Sequence, residues 1–164
     1  MDQVSGDPDR ELAVIEQAYR DGYVRFLKVA IAMLGDADRA RDAVQETFAR
    51  AIRSRRDLRR VESVHAWLWQ TLLNVCRMEQ RHRPEAANVL PDVPANGHAV
   101  DWGDLRAVVA ALPERQRLVL FLRHYADLDY ARIAAVVGVE RGTVAATLHA
   151  AHHKIRQAIE EVPQ

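Results

Sequence analysis

Apolar positions along this chain recur every three or four residues, the repeat of an amphipathic helix, and no strand-like alternation interrupts them. Tyr23, Phe26, Leu27, Ala30, Ile31 and Leu34 form a first stripe. Gly35 ends that helix and Asp36 is placed to cap the next. The second stripe is Ala40, Ala43, Val44, Thr47, Phe48, Ala51 and Ile52. The arginine-rich stretch 53–60 then breaks the period and predicts a loop. Ser63 is the expected cap of a third helix carrying Trp67, Leu68, Thr71, Leu72 and Val75.

Residues 84–103 have no period and contain Pro84, Pro91, Pro94, Gly97 and Gly103, the signature of a linker. Beyond it, Leu105, Val108, Val109 and Leu112 make a short stripe, and Pro113 suits the first position of a new helix. Leu118, Phe121, Leu122 and Tyr125 are the apolar face of that helix. Asp129 caps a short helix with Ile133, Ala134 and Val137, Gly138 and Val139 make a tight turn, and a last helix, Arg141–Glu160, carries Val144, Leu148, Ala151, Ile155 and Ile159. A short helix, a glycine turn and a longer helix form a helix-turn-helix pattern, whose second helix commonly enters the DNA major groove. The expected architecture is all-α: a tail over 1–9, a helical domain over 10–83, a linker over 84–103 and a helix-turn-helix domain over 104–164.

Composition narrows the class. The 164 residues suit one ordinary domain or two small ones. No apolar run is long enough to span a membrane, and the polar first nine residues predict no secretion signal. One cysteine, Cys76, excludes an internal disulfide and a cysteine-cluster zinc site. A cytoplasmic, monomeric protein is expected. No phosphate-binding glycine loop, nucleophile–base pair or metal motif is present, so neither an enzyme nor a cofactor is expected.

The net charge is zero, with 23 bases and 23 acids, a total that by itself disfavours nucleic acid as a partner. Its distribution reverses that inference. Residues 1–49 are net −4, 50–83 net +6, 84–104 net −4 and 105–164 net +2. Salt screens charges over about 10 Å, so such blocks act locally.

Three stretches, LGDADRARDAVQETFARAI (34–52), WLWQTLLNVCRMEQRHR (67–83) and LPERQRLVLFLRHYADLDYARIAAVVGVERGTVAATLHAAHHKIR (112–156), together resemble bacterial RNA polymerase sigma factors of the extracytoplasmic-function (ECF) group. They occur in that family's order and at its separation. The resemblance implies two domains, sigma region 2 and sigma region 4, which join core polymerase and direct it to promoters. Asp42, Gln45 and Glu46, spaced on one helix face, would dock on the clamp helices of the largest polymerase subunit. Arg53, Arg55, Arg56, Arg59 and Arg60, with Gln70, Asn74, Arg77 and Arg81 on the following helix, would recognise and melt the minus-ten element. Arg141, Gly142, Thr143, Ala145, Ala146, His149 and Lys154 would contact the minus-35 element. The acidic linker residues Glu85, Asp92, Asp101 and Asp104 would lie in the electropositive polymerase cleft. An anti-sigma factor of the kind that restrains many members is a further expected partner.

The chain also departs from the family. Leu73 replaces a usual base, Met78 an aspartate, and the last helix is poor in bases, which implies weak or altered minus-35 reading because phosphate contacts supply much of DNA affinity. Trp69 is either a base-stacking residue or a core residue against the first helix. His149, His152 and His153 fall near one face, where a metal or simple surface exposure are the two readings. A stand-alone helix-turn-helix regulator, or an interaction module that has lost promoter reading, is the alternative function.

Overall fold

The computed structural model describes residues 8–82 and 102–160, and every regular element among them is helical. In chain order these are α1 (Pro8–Leu34), α2 (Ala37–Arg53), a 3₁₀ turn (Asp57–Arg60), α3 (Val64–His82), α4 (Trp102–Ala111), α5 (Glu114–His124), α6 (Tyr130–Val137) and α7 (Arg141–Glu160). Helices α1, α2 and α3 pack on one another, α4 to α6 gather around α7, and α3 also packs against α6.

The expected caps form. Asp36 accepts a 2.8 Å hydrogen bond from the Arg39 amide and Asp129 a 2.8 Å bond from the Arg132 amide. Ser63 Oγ accepts from the Ala66 amide at 3.2 Å. Each satisfies one of the amides that a helix start leaves without a partner, worth about 0.5–2 kcal/mol. Gly138 ends α6 at φ +71°, a left-handed conformation that costs other residues about 1–2 kcal/mol. The chain can therefore reverse there and enter α7.

Phe26 is the centre of the first core. It is fully buried, stacks on Trp69 of α3 (centroids 4.1 Å apart, planes at 26°) and meets Phe48 of α2 edge-on at 5.3 Å. One ring therefore joins all three helices. Trp69, only 1% exposed, is a core residue, and its indole N–H donates to His65 Nε2 at 3.4 Å. Cys76 is buried in the same core, and burial pushes its thiol pKa up to about 12, so it is held as an inert thiol. The apolar cluster continues into the second domain, where Leu118, Phe121 and Leu122 of α5 meet Ile133 of α6 and Val144, Leu148 and Ala151 of α7.

Several expectations need correction. Helix α1 begins at Pro8, inside the expected tail and well before the Tyr23 stripe, and it buries Ile15. Residues 1–7 lie outside the described residues. Ile52 and Ile159 belonged to predicted apolar faces, yet both are exposed, at 44% and 46%. Each lies in the last turn of its helix. In the 53–60 stretch Arg53 still belongs to α2, residues 54–56 form a turn and 57–60 a 3₁₀ turn, pinned by Leu58 at 2% exposure. Pro113 stands one residue before α5, with extended ψ 141°, instead of inside it. Helix α4 starts at Trp102, within the span expected as linker, while 83–101 fall outside the described residues together with Glu85, Asp92 and Asp101.

Candidate nucleic-acid interface

Helix α2 buries Ala40, Ala43, Val44, Thr47 and Phe48. The same helical period that buries these residues leaves Asp42 and Gln45 exposed and Glu46 half-exposed on the other side. Glu46 is already engaged: its Oε1 accepts from Arg50 Nε at 2.7 Å and from Arg53 Nη2 at 3.1 Å. The Arg50 hydrogen bond, with Arg53 adding attraction, holds the Glu46 carboxyl below the usual carboxylate range despite some desolvation. Asp42 and Glu46 border a groove of 260 Å³ shared with Val75, Met78 and Glu79 of α3.

The basic stretch follows directly. Arg56 and Arg60 are exposed. Arg55 Nη1 donates to the Ile52 carbonyl at 3.2 Å. Arg59 forms an ion pair with Glu11 of α1 at 3.2 Å. Glu11 did not stand out in the sequence, because nothing local marks an acid 48 positions away as the partner of that arginine.

On α3, Gln70, Asn74, Arg77 and Arg81 lie on the face away from Leu68, Leu72, Val75 and Cys76. Leu73 is only 2% exposed. This chain has therefore turned that position into core, and a base there would be buried. Met78 is 46% exposed.

Part of this polar stripe is covered by the second domain. Gln70 Nε2 donates to the Ala135 carbonyl of α6 at 2.9 Å, and Arg77 Nε lies 3.5 Å from Glu114 Oε1 of α5. Asn74 faces Val136, Val137 and Gly138 across a small cleft. A larger cleft of 920 Å³ opens beside it, where Trp67 and Gln70 face Arg132 and Ala135. His65 lines this cleft too, and burial, then Arg132 and Arg25, hold its pKa below the ordinary histidine value of 6.5.

Helix α7 turns Arg141, Gly142, Thr143, Ala145, Ala146, His149 and Lys154 to solvent and buries Val144, Leu148 and Ala151. The seven expected recognition positions are thus all on the exposed surface, with Arg141 and Lys154 as the bases among them. Of the three histidines, His152 meets a fourth, His124. Its Nε2 lies 3.3 Å from His124 Nε2 of α5. No group of three or more metal-ligating side chains occurs among the described residues, and no helix among them is long and apolar enough to cross a membrane.

Residues 18–84 match the Sigma-70 region 2 family and residues 102–155 match Sigma-70, region 4. The ECF RNA polymerase sigma factor EcfG of Rhodopseudomonas palustris is 31% identical over 134 residues, covering 77% of this chain and 74% of that protein. SigL, an ECF RNA polymerase sigma factor of Mycobacterium tuberculosis, is 26% identical across 99% of this chain and 98% of its own length. The fold also matches the sigma factor RpoE, solved in complex with the anti-sigma factor NepR from Bartonella quintana. That likeness has a TM-score of 0.62 at 22% identity and covers 94% of this chain and 98% of that one. Two helical domains, one ending in a helix-turn-helix, therefore define a sigma-type transcription factor. The chain belongs to the ECF RNA polymerase sigma factors, a family of non-catalytic, promoter-specific transcription initiation factors.

Proposed function

We propose that the exposed face of α2, with Asp42, Gln45 and Glu46, docks on the clamp helices of core polymerase. The basic turn and the α3 stripe take the minus-ten element, and α7 takes the minus-35 element. The observation that carries this division is the polar α3 face turned away from the first-domain core, bearing Gln70, Asn74, Arg77 and Arg81 and following the arginine turn directly in the chain. Guanidinium groups pair with phosphates and amides read base edges, the combination a melted promoter strand needs.

The reading requires a rearrangement. Gln70 and Arg77 are engaged by α6 and α5, so the second domain must lift from α3 before DNA can reach them. The polar contacts to be broken are one neutral hydrogen bond and one exposed ion pair, each worth about 1 kcal/mol or less in water. The packing of α6 on α3 and of α5 on α1 must part with them, so polymerase binding has to offset apolar as well as polar contacts. An anti-sigma partner is supported by the fold shared with RpoE, which is bound to NepR in its solved complex. The cleft between α3 and α6 offers such a partner both domains at once.

Equilibrium binding to core polymerase tests the docking face. Asp42→Ala is expected to weaken it about tenfold, the effect of one lost charged contact of about 1.5 kcal/mol. The Gln70→Ala, Arg77→Ala double variant should bind core normally and fail to open promoters. Intact core binding by the Asp42→Ala, Glu46→Ala variant would place the docking face elsewhere.

A further inference from the structure

The His124–His152 pair lies where α5 packs on α7, and neither residue is among the polymerase-, minus-ten- or minus-35-contacting positions named above. His124 sits in the last turn of α5 and His152 near the middle of α7, 28 positions apart in sequence. Their Nε2 atoms are 3.3 Å apart while the ring centroids are 5.5 Å apart, so the two rings meet at their nitrogen ends, and a small turn of each ring brings both lone pairs onto one point beside the N···N line. A zinc ion with Zn–N bonds of about 2.05 Å and a tetrahedral angle holds two ligand nitrogens about 3.3 Å apart.

We propose that His124 and His152 form a two-histidine clip for a borderline divalent cation, Zn²⁺ in particular, which ties α5 to the helix-turn-helix helix α7. Neutral imidazole is the ligand form, and zinc, nickel and copper are the ions it prefers. Both side chains are exposed, so an ion can reach them and water can complete its coordination. The neighbouring Arg123 has partners of its own. Arg123 Nη1 donates to the Leu128 carbonyl at 3.1 Å and lies 4.0 Å from Asp127. The protein supplies only these two ligands, since no larger ligand group occurs among the described residues. The expected binding is therefore reversible, and the clip stiffens the domain without being required for its fold.

The test is titration of the full, ¹⁵N-histidine-labelled chain with ZnCl₂ at neutral pH. The expected result is saturable binding of one ion per chain, with the His124 and His152 Nε2 resonances shifting together and EDTA reversing the shift. Losing an outer-sphere partner of a metal ligand costs about 10–100-fold in affinity, and losing a ligand costs at least that. His124→Gln and His152→Gln should each lower affinity by that factor or more, and His153→Gln should leave it unchanged. The resonance shifts are read on the unaltered chain and do not depend on how a variant folds. Two results would overturn the proposal: unchanged Nε2 resonances at saturating zinc, or equal affinity in either glutamine variant. The pair would then be a simple imidazole–imidazole hydrogen bond.

Discussion

Trp69→Ala separates a structural from a nucleic-acid role for the most conspicuous aromatic residue of α3. Trp69 is 1% exposed, stacks on Phe26 at 4.1 Å and donates its indole N–H to His65. Truncation removes the largest side chain of a core whose other rings, Phe26 and Phe48, hold each other edge-on at 5.3 Å and cannot collapse freely into the void. Such a change costs about 3–5 kcal/mol, of which the ring–ring geometry contributes about 0.5–1.5. Small domains have only about 5–15 kcal/mol in total. At about 4–8 °C per kcal/mol for a domain of this size, the melting temperature should fall on the order of 15–30 °C. Trp69→Phe keeps the ring and should lose about 1–2 kcal/mol, mainly the smaller volume and the His65 bond. Circular dichroism under urea and heat measures both variants without relying on tryptophan emission. The reasoning fails if Trp69→Ala keeps its urea midpoint but binds single-stranded minus-ten DNA less tightly. That outcome would mean the ring leaves the core to stack on a base.

Three further outcomes follow from particular contacts. A methyl group at Gly22 would come within 2.8 Å of the Phe26 ring, which Trp69 and Phe48 hold in place. Gly22→Ala should therefore destabilise by about 1 kcal/mol, overpacking outweighing a helix gain of about 1 kcal/mol, and a raised melting temperature would show that the ring can shift. His65 and His124 both have folded-state pKa values below 6.5, so the unfolded chain takes up more protons below that pH and stability falls as pH drops from 7.5 to 5.5. Urea midpoints across that range check the sign, and His65→Gln should flatten the curve. With Arg141, Lys154 and Arg156 as the exposed bases of α7, binding to a minus-35 duplex should show a salt slope of about −3, and a slope near −8 would reveal phosphate contacts from elsewhere.

The sequence spelled out what local chemistry decides. Asp36, Ser63 and Asp129 cap their helices because a side-chain oxygen three residues before an amide suffices, whatever the rest of the fold does. Gly138 marks its turn for an equally local reason. The first half of α1 was hidden because Val14 and Tyr19 are exposed at 44% and 41%, and the polar pair Glu16 and Gln17 between them blurs the stripe that Ile15 alone anchors. Leu58 could not be placed from the sequence either, since one leucine among arginines has no period to join. The candidate surfaces were legible as helix faces. Their partners were not: the Ala135 carbonyl that engages Gln70 is a backbone atom, and Glu114, Glu11 and His124 meet Arg77, Arg59 and His152 only through tertiary packing.

Run-off transcription with purified core polymerase on a library of genomic promoter fragments tests the central claim most directly. Added to core, the chain is expected to yield discrete transcripts from a small set of promoters, lost when the minus-ten element is replaced and lost with the Gln70→Ala, Arg77→Ala variant. Transcripts no different from those of core polymerase alone, with the chain folded and bound to core, would contradict promoter-directed initiation by this protein.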